Sequence, residues 1–195
     1  MFDIRILIAG IASILAFVGN LSYLKDVVRG RVKPHPYTWL IWSIVSMTTF
    51  FGGLIKGAGI GALPTGVAEA FTIVIFGFSV RDFFAGRRDQ IRTSDHYFLA
   101  AALLGLIPWM LTKDPTMSVV IVVAIDIIAF IPTLQKTWVR PEAERPALYG
   151  MNVLRHVLTL FSLGAYNIAT TIHSIAMICT NTLMVFFISR KEKKM

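Results

Sequence analysis

Four polar side chains sit deep inside long apolar stretches: Glu69, Asp126, Arg155 and Asn181. Counted along a helix from the nearest basic run or proline, Asp126 lies about 15 Å in, Arg155 and Asn181 about 13–14 Å, and Glu69 about 18 Å. Polar groups in hydrocarbon are costly, so such residues face a bundle interior or a cavity. The chemistry open to this band is recognition rather than bond-making. A carboxylate can couple an ion; a guanidinium and amides can hold a polar ligand. Asn152 stands one turn before Arg155 and shares its helical face, with His156 alongside. Trp42 adds an indole that can stack on a ring. The expectation is a midplane substrate site using Asn181, Asn152, Arg155 and Trp42, with Asp126 and Glu69 as coupling carboxylates. Two structural alternatives stand beside it. Asp126 and Arg155 form a buried ion pair that only holds two helices together, or Arg155 snorkels to the interface.

The elements that position these residues follow from composition. Of 195 residues, 55% are hydrophobic and 15% charged. A soluble domain of this length needs more charged surface. A bilayer span takes about 20 apolar residues. Seven stretches qualify, at about 4–24, 37–55, 60–80, 96–112, 117–136, 147–166 and 170–189. The fold class expected is all-α integral membrane protein with seven transmembrane helices. The first stretch is too long for a signal-peptide core and reads as a retained helix. The single Cys179 reads as a small buried apolar residue.

The net charge of +8 is not spread evenly. Fifteen Lys and Arg fall in the connections after the first, third, fifth and seventh stretches, against Arg5, Lys56 and Lys113 on the opposite side. Basic loops stay cytoplasmic, which places the N-terminus outside and the C-terminus inside. Basic residues at headgroup level explain the charge through membrane lipid, with no nucleic-acid partner. Compact loops favour a bacterial inner membrane. Trp39, Trp109 and Trp138 read as interfacial anchors. His173 reads as a satisfied interface histidine and His35 as a turn cap. Pro132 removes a helix hydrogen bond and is the expected gate or hinge. The Gly52-Gly53 and Gly57-Ala58-Gly59 runs are expected to loosen the outer turn.

Self-similarity divides the chain. Ala16-Phe17-Val18-Gly19-Asn20-Leu21 resembles Ala129-Phe130-Ile131-Pro132-Thr133-Leu134. A basic loop and a proline follow each, Pro36 and Pro146, and a last stretch ends at Arg81 or Arg190. Three crossings reverse orientation, so one extra crossing is needed to keep the copies parallel. This gives 1–83 as the first three-helix repeat, 84–115 as a basic loop with an inversion linker helix, and 116–195 as the second repeat.

That 3+1+3 plan and the Pro132-Thr133 motif resemble the SWEET/PQ-loop superfamily of small transporters. The resemblance covers nearly the whole chain. It implies two parallel three-helix bundles rocking about a central site. It also implies a substrate role for Asn181 and, with Arg81 and Arg190 aligned, for Thr72. The Trp39-x-x-Trp42 pair echoes a motif of the related nicotinamide riboside transporters. The function expected is alternating-access transport, facilitated or ion-coupled, of a small molecule such as a sugar, nucleoside or vitamin. The competing class is a non-transporting receptor or assembly protein on the same scaffold. No HExxH, GxSxG or P-loop occurs, so neither an enzyme nor a cofactor or metal is expected. A second copy of the chain stays open as a partner in a homo-oligomer.

Overall fold

The computed structural model describes residues 3–30, 34, 36–86, 96, 99–100, 103–104, 111, 114–139, 141 and 146–192. Six helices carry the described chain: α1 (Ile4–Val28), α2 (Pro36–Ile55), α3 (Leu63–Phe84), α4 (Pro115–Val139), α5 (Pro146–Ser162) and α6 (Ile168–Glu192). A 3-10 turn, Gly59–Ala62, leads into α3. The expected fourth span and Trp109 lie almost wholly outside the described residues, as do His35 and most of the basic loop residues that set the expected orientation.

Local chemistry explains where the helices begin. Proline opens α2, α4 and α5 and stands in the first turn of α3. Its missing N–H costs nothing there, and its fixed φ suits the first turn. Asp3 caps α1 by accepting from Arg5 N at 3.0 Å. Asp114 accepts from Thr116 N at 2.9 Å at the start of α4. Before α6, Asn167 accepts from Thr170 N at 3.2 Å, and Thr170 Oγ1 accepts from Asn167 N at 3.0 Å. This reciprocal box satisfies two backbone donors otherwise left orphaned.

The faces are sorted in reverse of a soluble bundle. Ala9, Ala12 and Ala16 form the buried stripe of α1, while Ile4, Leu7, Ile11, Ile14, Phe17 and Val18 point outward. On α3 the buried face is Thr65, Glu69, Thr72, Ile75 and Ser79. Small and polar residues inside, with large apolar ones outside, is the pattern of helices packed in lipid. Three helices are long and apolar enough to cross a membrane: Ile4–Val28, Gly59–Phe84 and Ile168–Arg190. They point to an integral membrane protein.

Each half packs its third helix between the other two, in the order α1–α3–α2 and α4–α6–α5. Across the halves α1 meets α5 and α2 meets α4, so the six helices close a ring. Exchanging α1 with α4, α2 with α5 and α3 with α6 maps this ring onto itself. A contact between α2 and α6 runs across its middle. We name the two ends of the ring by the residues that bound α1. Its Asp3 end holds the α2–α3 and α5–α6 connections, together with Asp114, which pairs with Lys56 at 3.8 Å. At the Arg29 end lies His96, whose Nδ1 is 3.1 Å from Tyr37 Oη. So α3 stops at one end of the ring and α4 starts at the other.

At the Asp3 end two further glycines, Gly61 and Gly164, let backbones of the two halves touch. A Cβ on Gly61 would meet Leu163 Cα at 2.7 Å and Leu163 N at 2.8 Å, and one on Gly164 would meet Gly57 O at 2.8 Å. Gly164 N donates to Ala58 O at 2.9 Å, and Asn167 Nδ2 to Lys56 O at 2.9 Å. Gly57 takes a φ of +88°, which side chains rarely adopt.

Cys179 and Trp39 differ from expectation. Cys179 is on the exposed face of α6, where an apolar thiol suits the lipid-facing surface better than the polar interior. Trp39 is buried at 8% exposure between Val27 and Ile75, while Trp42 is 38% exposed. Depth along a helix does not set which face a residue occupies, and Trp39 is on the inner one. Trp138 does stand outward, with Arg190 over its ring at 4.6 Å.

Candidate functional site

The interior of the ring is polar at matching places in the two halves. With Arg81 set against Arg190, buried Thr65, Thr72, Ile75 and Ser79 of α3 fall on buried Ser174, Asn181, Met184 and Ile188 of α6. Thr72 Oγ1 donates to Ala68 O at 3.0 Å, and Asn181 Nδ2 donates to Met177 O at 2.7 Å, the same position one turn back. With Pro36 set against Pro146, buried Trp39 and Thr49 fall on buried Tyr149 and Thr159.

Two of the residues singled out by sequence are brought together. Asn152 Nδ2 of α5 reaches Asn181 Oδ1 of α6 at 3.5 Å. Arg155 and Asp126 are not. Among the described residues they form no ion pair, because α6 stands between α4 and α5. The pair considered as a structural alternative is therefore absent. Nor does the Arg155 head reach out to an interface: Nη2 lies 2.6 Å from Nε2 of His156. Since a guanidinium only donates, Nε2 accepts and Nδ1 carries the proton. Nδ1 then donates to Ser174 Oγ at 3.3 Å. Glu69 is buried at 5% exposure against Ser46 of α2, yet neither carboxylate oxygen has a hydrogen bond of full geometry. Thr72 is turned to its own backbone, and Trp42 stacks edge-on against Trp39 at 5.2 Å. Helix α4 runs without interruption through Pro132, whose side chain lies outside the described set.

Sequence reasoning missed the cavity itself. It lies toward the Asp3 end, lined by Thr49 and Gly53 of α2, Thr65 of α3, Thr159 of α5, and His173 and Ser174 of α6. None of the residues expected to bind substrate lines it. The available signal was hydroxyl residues recurring at helical spacing, which is weak because Ser and Thr are common in apolar helices. His173 is not the satisfied interface histidine expected. Its ring meets His156 edge-on at 5.4 Å, and its Nδ1 has no protein partner.

The cavity measures about 20 Å³, room for about one water. Thr49 Oγ1 and His173 Nδ1 both belong to its lining, and both lack a protein partner. A water bridging them would satisfy two groups that each cost about 1–3 kcal/mol when orphaned. Thr49→Val is accordingly expected to lower the melting temperature, while Thr49→Ser leaves it unchanged. A rise for the valine variant would mean that the cavity is dry.

No family model, curated protein or solved structure matches the chain. Among the described residues no cluster of three metal-ligating side chains occurs.

Proposed function

We propose that this protein is a seven-helix, alternating-access transporter of a small polar molecule, built on the 3+1+3 plan of the SWEET/PQ-loop type. The observation that carries this reading is the matched polar lining of α3 and α6, with Glu69, Thr72 and Asn181 buried inside a ring whose outer face is apolar. Ionisable and polar groups inside a membrane bundle are costly and mark substrate or ion paths. A fourth crossing belongs to the proposal. His96 and Asp114 lie at opposite ends of the ring, and the intervening chain is long enough for one helical pass of about 27 Å. The two bundles rock about the junction of α1 with α5 and α2 with α4. Orientation with the N-terminus outside, and a bacterial inner membrane, are part of the same proposal.

The test is uptake into liposomes holding the purified protein, across sugars, nucleosides and small acids, with and without a pH gradient. Saturable flux of one compound class supports the reading. A cavity of about 20 Å³ favours a second one, a receptor or assembly protein that moves nothing. That reading gains if no compound is transported by protein that remains folded.

A further inference from the structure

The interior of the second half holds a cation, Arg155, that no carboxylate meets among the described residues. Arg155 has five N–H donors, and the hydrogen bond to His156 is the only one it makes among the described residues. It pairs with no carboxylate there. Among the described residues its surroundings offer none. Helix α5 has no acidic residue, α6 has only Glu192 at its far end, and α1, which also packs on α5, has only Asp26 near the Arg29 end. The groups facing it are His156 and, through that ring, His173 and Ser174. One turn back along α5 stands Asn152, whose amide meets that of Asn181 on α6, and each has a second N–H beyond the bond it donates.

A guanidinium held inside an apolar ring without a counter-charge is expensive. A guanidinium fork matches an oxyanion in shape and charge, and amides one turn along can donate to it as well. We propose that the ligand brings the missing charge: it is a small soluble carboxylate, received by Arg155 and steadied by Asn152 and Asn181. This rests on the transport reading for the ligand's passage, but not for its binding. A lipid phosphate shares the oxyanion chemistry. Depth argues against it, since Arg155 lies about 13 Å along α5 from Pro146.

The experiment measures binding and flux separately on the full chain. Thermal stabilisation in detergent is read with acetate, lactate, inorganic phosphate, glucose and phosphatidylglycerol micelles; liposome uptake is read for the same solutes. The expected result is stabilisation by a carboxylate and none by glucose. Affinity should fall at least tenfold in Arg155→Lys, which keeps the charge and loses the fork, and be lost in Arg155→Gln. Should Arg155→Gln fail to fold, the lysine variant and competition between carboxylates still decide. Binding of this kind without flux supports the inference and removes the transporter. Flux of glucose, indifferent to carboxylates and to Arg155→Lys, overturns the inference and leaves the transporter standing. Stabilisation by phosphatidylglycerol alone also overturns it.

Discussion

Gly61→Val is expected to lower the melting temperature in detergent by about 10 °C. The position has no room for a side chain: a Cβ there would lie 2.7 Å from Leu163 Cα and 2.8 Å from Ser162 O. Those are backbone atoms, so no rotamer change relieves the clash. Forcing atoms into a packed interior costs typically 1–3 kcal/mol, and about 3 is fitting where the obstacle is main chain. For a chain of this size each kcal/mol moves the midpoint by about 2–4 °C. The control is Gly77→Ala. Gly77 sits within α3 with nothing within 4 Å of its Cβ position, so alanine should hold or slightly raise stability through helix propensity. Equal loss in both variants would mean that the Asp3-end contact contributes nothing.

Glu69→Gln should separate stability from function. The native carboxylate is buried and lacks a hydrogen bond of full geometry, and a neutral amide of the same shape is cheaper to bury. The variant should therefore melt higher, by about 1–3 kcal/mol. Under the transport proposal it should also lose about tenfold or more of its uptake rate. A residue that weakens the fold and is kept for its work gives opposite signs in the two measurements. If stability falls instead, the carboxylate is held by interactions in the fold and its role is structural.

These expectations show what a linear sequence can reveal here. The helices were legible, since Pro36, Pro115 and Pro146 mark helix starts and the apolar runs are long. The register between the halves was legible too: aligning Arg81 with Arg190 puts Thr72 on Asn181, and both are buried and bonded one turn back. Depth put Asn181 level with Arg155, one turn from Asn152, and Asn152 and Asn181 do come within reach of one another. Lateral order was not legible. Asp126 and Arg155 share a depth, but α6 lies between their helices, and nothing in one dimension says which helix stands beside which. The same blindness reversed Trp39 and Trp42, and hid the meeting of Thr49 and His173 around one cavity. Nor did the sequence single out Gly61 and Gly164, where the missing side chain is what lets two backbones touch.

Under the transport proposal, that contact bears on how the two bundles could rock. Main-chain atoms of the two halves meet at the Asp3 end through Gly61, Leu163, Gly164 and Ala58, while the helices run on toward Arg29 for most of the bilayer thickness. A joint at one tip of so long an arm turns small rotations into wide openings. Tilting one bundle by about 10° about this point parts the far ends by about 5 Å over about 30 Å of helix. On that reading the glycines need not flex for the Arg29 mouth to open, whereas opening the Asp3 mouth would require this backbone contact to part.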